Sequence, residues 1–115
     1  MTQAERVVLA QLAAFNAKDM DAFAGCFSHD IEMRTFPDNG LVVAGQKELR
    51  ARYSTLFLYP GGLRVESVHR FCMGDVVCDH QRIHGLHAEP TELMCFFHID
   101  DGRIVKVLYA HGPGF

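Results

Sequence analysis

The chain lacks the cysteine spacing that a metal or redox motif requires. Cys26, Cys72, Cys78 and Cys95 stand far apart, and no C-x-x-C pair occurs. A structural zinc site or a thioredoxin-type site therefore has no support, and the four read as reduced, mostly buried small side chains. Long apolar runs are also missing: the longest uncharged stretches fall well short of the roughly 18–20 residues that a membrane span needs. The segment Met1-Thr2-Gln3-Ala4-Glu5-Arg6 leads into an amphipathic helix pattern instead of a signal-peptide hydrophobic region, so a cytoplasmic location is expected. Positive charge is scarce. Lys+Arg 11 against Asp+Glu 14 gives a net charge of −3, which excludes the basic field that draws a protein to nucleic acid or an anionic membrane. No internal repeat, low-complexity segment or linker interrupts the sequence.

What is present suits a folded protein. Hydrophobic residues make up 49% and charged residues 22% of 115 positions, enough for one core and too few for two, so a single domain over 1–115 is expected. Ala4, Val8, Leu12 and Phe15 recur at the spacing of one helix face. Asp19 is a candidate N-cap for a short second helix carrying Met20, Phe23 and Phe27 and ending near Ser28-His29-Asp30. Ile31 to Phe36 reads as a strand, closed by Pro37-Asp38-Asn39-Gly40, with Leu41-Val42-Val43 pairing back on it. A third helix follows Gly45, with Leu49, Tyr53, Leu56 and Phe57 on one face, and stops at Tyr59-Pro60-Gly61-Gly62. From Leu63 the period becomes two, predicting strands over about 63–72, 75–84, 91–99 and 103–111. Helices first and strands last is an α+β pattern.

Several joint segments carry a family likeness. They are Phe15-Asn16-Ala17-Lys18-Asp19-Met20-Asp21, Phe27-Ser28-His29-Asp30, Gly45 with Leu49, Arg50, Arg52, Tyr53 and Phe57, then Gly74-Asp75-Val76-Val77, and Phe97-His98-Ile99-Asp100-Asp101-Gly102-Arg103-Ile104. In this order the chain resembles the nuclear transport factor 2-like superfamily, in the branch of the ketosteroid isomerases and SnoaL-like polyketide cyclases. The resemblance implies a cone-shaped α+β fold, three N-terminal helices on a curved, mixed but mainly antiparallel sheet that encloses a pocket. It also implies a homodimer joined through the outer sheet face. Under it, the isomerase's oxyanion-donating tyrosine falls at Gln11, its base at Thr35 or Phe36, and its second oxyanion donor at Cys95. None of these keeps the required chemistry, so steroid isomerisation is not expected. The supporting helix-three tyrosine has a counterpart in Tyr53.

The strand Asp75 to His84 is the unusual one, because neither alternating set is apolar throughout. One set is Cys78, His80, Arg82, His84; the other is Val77, Asp79, Gln81, Ile83. Alignment on Gly45 and Gly74 turns the His80 set toward the pocket, while a slip of one residue would present Asp79 and Gln81. In the first phase His80, Arg82 and His84 are the candidate catalytic residues, two proton exchangers around a cation for a carboxylate, enolate or phenolate. A polar outer face is the plainer alternative. His80, His84 and His87 do not form a recognised ligand motif, so no metal is expected. Gln11, Tyr53, Cys95, Tyr109 and His111 are candidate ligand-binding residues, each of which could equally be a packed or solvated side chain.

Together these features predict a cofactor-independent enzyme of the SnoaL-like and steroid-isomerase-like kind: an isomerase, cyclase, dehydratase or hydrolase using acid/base residues. The alternative is a non-catalytic ligand-binding or dimerisation module. Expected partners are a small organic ligand, an anionic one included, and a second copy of the chain, because Leu93, Cys95 and Phe97 alternate with Met94 and Phe96. Nucleic acid and membrane are not expected.

Overall fold

Thr2 opens the first helix by a reciprocal cap. Its hydroxyl accepts from the Glu5 N–H while the Glu5 carboxylate accepts from the Thr2 N–H, so α1 runs Gln3–Ala17. The computed structural model describes residues 1–112. Asp19 caps α2, Met20–Gly25, accepting from the Ala22 N–H at 3.2 Å. Then follow β1 (Phe27–Thr35), β2 (Leu41–Ala44), α3 (Gly45–Phe57), β3 (Arg64–Met73), β4 (Val76–His84), β5 (Thr91–Asp100) and β6 (Arg103–His111). The four long strands lie within a residue of their expected limits.

One boundary differs. Helix two stops at Gly25, and Ser28-His29-Asp30 belong to β1. The cause is nonlocal: Ile104 donates its N–H to the Cys26 carbonyl at 2.8 Å, and Phe27 registers with Ile104 of β6, which draws this backbone into the sheet.

The sheet order is β2-β1-β6-β5-β4-β3, an open six-stranded sheet in which only β1 and β6 run parallel. The helices pack on one face. Phe15, Phe23, Tyr53 and Phe57 meet there, with centroids 4.5 Å apart for Phe23–Tyr53 and 5.3 Å for Phe15–Phe57. Such pairs contribute about 0.5–1.5 kcal/mol each beyond area burial.

Two side-chain amides lock helices to strands. Asn16 donates to the Val65 carbonyl at 2.9 Å and accepts from the Val65 N–H at 2.8 Å, acting as a partner for edge strand β3. The Gln46 amide donates to the carbonyls of Ala24, Phe27 and Ser28, tying α3 to the α2–β1 joint. At the end of β4 the chain must pass close to itself. A Cβ on Gly85 would lie 2.4 Å from the Gly62 carbonyl oxygen, and φ there is +102°, so only glycine fits.

Candidate functional site

Between the helices and the inner sheet face lies a cavity of about 360 Å³, within the range of small-molecule sites. Its wall is largely apolar, with Phe15, Phe23, Leu56, Val65, Phe97 and Val107 among its members. Among the described residues polarity enters at six positions: Gln11 on α1, Arg52 and Tyr53 on α3, Gln81 on β4, Cys95 on β5 and Tyr109 on β6. Gln11 lies on the same helix stripe as Val8 and Phe15, so α1 cannot bury those two without it. It is 7% exposed, and its amide has no hydrogen bond with another described residue.

Behind the wall stands Asp79, with no exposed surface. Ser67 donates to its Oδ1 at 2.6 Å, the Gln81 amide donates to its Oδ2 at 2.9 Å, and Arg70 Nε lies 3.7 Å from Oδ1. Arg70 Nη2 also donates to the Ser67 hydroxyl at 3.2 Å. Register explains the gathering, since Arg70, Asp79, Cys95 and Tyr109 are successive neighbours across β3 to β6. A carboxylate only accepts, so the Gln81 NH₂ turns to Asp79 and its carbonyl oxygen is left toward the Cys95 thiol, 3.6 Å away. Burial, reinforced by the Asp79 charge, pushes the Cys95 thiol far above the usual range and keeps it protonated. Burial likewise pushes up the phenol of Tyr53, which donates to Met33 Sδ at 3.8 Å, and that of Tyr109. Around neutrality the wall therefore offers neutral donors and acceptors, with the Arg52 guanidinium as its charge.

The expected phase of β4 is corrected. Val77, Asp79 and Gln81 are buried, and His80, Arg82 and His84 stand on the opposite face, outside the cavity. There His80 meets Glu92 at 3.0 Å, Arg82 meets Glu92 at 2.9 Å, and His84 meets Glu66 at 2.8 Å. The physical reason is the Ser67–Arg70 pocket of polar groups on β3, which makes a buried Asp79 tolerable; an inward Arg82 has no such counterpart. The expectation that Arg82 draws an anionic ligand into the cavity falls with it. His111 is also corrected: it is exposed and borders an outer depression beside His80 and Glu92. Thr35 is tied to Asp38 at 2.5 Å and Phe36 is exposed, so neither lines the cavity. Among the described residues no group of three metal-ligating side chains converges, and His80, His84 and His87 do not come together.

These outer pairs set an acid response. Hydrogen bonds from Arg82 and His84 hold the Glu92 and Glu66 carboxyls below their ordinary value of 4.5. A depressed folded pKa means that the contribution is complete above 4.5 and is lost as pH falls through the lowered value. Carboxyl NMR titration is expected to show both groups titrating below 4.5, and Arg82→Met is expected to move Glu92 upward toward it.

Gln11, Tyr53, Cys95 and Tyr109 thus line one cavity. Gln81 entered the sequence reading only through the other strand phase, and Arg52 only as part of the family likeness. The signal for Arg52 was position alone, beside Tyr53 at the edge of the core-facing stripe of α3.

Comparison with known proteins places this geometry. Residues 8–107 match the sequence pattern of the SnoaL-like domain. No curated protein matches the sequence. Among solved structures, a SnoaL-like protein of unknown function from Burkholderia thailandensis superposes with a TM-score of 0.80 at 22% identity, covering 96% of this chain and 94% of that one. An LEH-like epoxide hydrolase from M. tuberculosis gives 0.80 at 18% identity, covering 96% and 83%. A protein from Jannaschia sp. CCS1, provisionally described as a SnoaL-like polyketide cyclase, gives 0.76 at 20% identity, covering 95% and 85%. At these identities the likeness carries the fold alone.

Proposed function

The chain belongs to the SnoaL-like domain family, and on that footing we propose that it binds a small, largely apolar organic molecule bearing a neutral oxygen, inside the helix–sheet cavity. The observation that carries this reading is Gln11: a nearly buried amide, unpartnered among the described residues, on an apolar wall. Its amide atoms are open to the cavity, so a ligand carbonyl or hydroxyl can take the place of water there. Gln11→Leu is therefore expected to leave the stability of the empty protein nearly unchanged while weakening ketones and alkanols about tenfold. Thermal shift and calorimetric titration of the two proteins check it. A wild type that no such molecule stabilises, or affinities unchanged in Gln11→Leu, would count against the reading.

A catalytic reading, as a cofactor-independent isomerase, cyclase, dehydratase or hydrolase, is favoured by one observation. The Asp79 carboxylate sits a single hydrogen bond behind Gln81, so a swing of that amide would present a general base to the cavity. Turnover lost in Asp79→Asn with ligand affinity kept would support it. A cytoplasmic site of action fits four free cysteines and a chain in which no described helix is long and apolar enough to cross a membrane.

The same reading includes a homodimer through the outer sheet face. Phe71, Cys78, Phe96 and Leu108 are neighbours across β3 to β6, and the Phe36 ring lies 6.2 Å from that of Phe96. Phe71 is 70% exposed. The Arg82–Glu92 ion pair at 2.9 Å and the His98–Asp75 contact at 3.1 Å flank the patch, so a two-fold rotation can set Arg82 and the carboxylates of Glu92 and Asp75 opposite unlike partners.

A further inference from the structure

We propose that the cavity's ligand is a monocarboxylic acid whose apolar body carries the neutral oxygen of the binding reading, its carboxylate held at the cavity mouth by Arg52 and Tyr109. This deepens the binding reading and rests on it. Arg52 lines the cavity yet is exposed, which sets its guanidinium where the cavity opens to water. Arg34, Arg50, Arg70 and Arg82 each meet a carboxylate; Arg52 meets none among the described residues. Arg6, Arg64 and Arg103 also lack an ion pair there, but they border no part of this cavity. Among the described residues the cavity wall holds no carboxylate that could neutralise Arg52, and Asp79 behind it is engaged by Arg70, Ser67 and Gln81.

Tyr109 supplies a second donor. It lines the same cavity, its hydroxyl has no hydrogen bond with a described residue, and the Arg52 charge acts on it. A planar guanidinium and a phenol on the wall of one cavity suit a carboxylate, which accepts from both. Polarity along the cavity then dictates orientation. An ionised group is costly to take deep among Phe15, Phe23 and Phe97, whereas at the mouth it keeps part of its hydration. The apolar body points inward, and its neutral oxygen meets the Gln11 amide. A ligand cation is repelled at the mouth.

The test uses three probes with one apolar body and different heads: decanoate, decanol and decylammonium, titrated calorimetrically at neutral pH. Decanoate is expected to bind wild type about tenfold more tightly than decanol, a ratio kept modest because Arg52 is partly screened by water. Decylammonium is expected to bind more weakly than both. In Arg52→Met the acid's advantage is expected to fall to within about twofold, with decanol unchanged. Added salt is expected to weaken decanoate alone, a comparison on wild type that stands if the variant does not fold. Equal affinities for decanoate and decanol in wild type overturn the carboxylate inference and leave the cavity reading standing. An acid advantage that survives Arg52→Met overturns Arg52 as its anchor. Binding of none of the three overturns both.

Discussion

Asp79→Ala is expected to lose about 3–5 kcal/mol of folding stability, the range for removing one member of a buried charged pair. The substitution takes away the acceptor for Ser67 and Gln81 together and leaves Arg70 facing them without its anion. Arg70 Nε is buried and makes no hydrogen bond, so its compensation is this carboxylate at 3.7 Å. Because the Arg70 side chain is 20% exposed, some water reaches it, and the lower part of the range is the better expectation. Against a total of about 5–15 kcal/mol for a domain, such a loss is a large fraction of stability. Urea unfolding with an unchanged slope measures it. Asp79→Asn keeps an acceptor and is expected to lose less, while Asp79→Leu with Arg70→Met removes both charges and recovers most of the loss. A change below about 1 kcal/mol in Asp79→Ala would show that the network does not hold β3 to β4.

Phe96→Asp is expected to convert the proposed homodimer to monomer, weakening association about a thousandfold. Phe96 lies at the centre of the outer patch, with Phe71 and Cys78 on one side, Leu108 on the other and the Phe36 ring beside it. Two-fold symmetry applies every substitution twice. Losing about 2 kcal/mol of phenylalanine burial in each copy gives about 4 kcal/mol, or three powers of ten, before any repulsion between the two aspartates. Phe96 is 36% exposed on the outer face and Cys95 carries the inner one, so the fold and cavity should be retained. Sedimentation equilibrium of both proteins at micromolar concentration reads the result. A wild type that is already monomeric there would remove the dimer proposal.

Most of the fold was legible because its signals are local. Asp19 caps α2 from three residues away, Asn39-Gly40 and Asp101-Gly102 turn the chain, and period-two alternation marks the long strands. Gln11, Tyr53, Cys95 and Tyr109 were legible for a related reason, since each interrupts or continues a stripe whose other members are core. The phase of β4 was not legible. Its odd set has apolar Val77 and Ile83 at the ends, but burying Asp79 between them depends on Ser67 and Arg70, which a register shift in β3 brings alongside. Nothing within residues 75–84 encodes that pairing. His111 failed in the opposite way. Alternation along β6 extends a face past the rim of the cavity it was read as lining. The early end of α2 also lay beyond local reading, being set by Ile104.

The parallel contact of β1 with β6 sets the order in which the molecule can assemble. Thr35 sits beside Tyr109, and between them in sequence lie β2, α3 and the three remaining strands. Closing a loop of that length is entropically costly before any of the pairing is gained. The hairpins β3–β4, β4–β5 and β5–β6 can form from neighbouring segments, whereas β1 and β2 join the sheet only when β6 is in place. Phe27 and Met33 of the cavity wall come from β1, so the binding chamber has no wall on that side until this late docking event. Folding speed and the appearance of ligand affinity should therefore share one rate-limiting step.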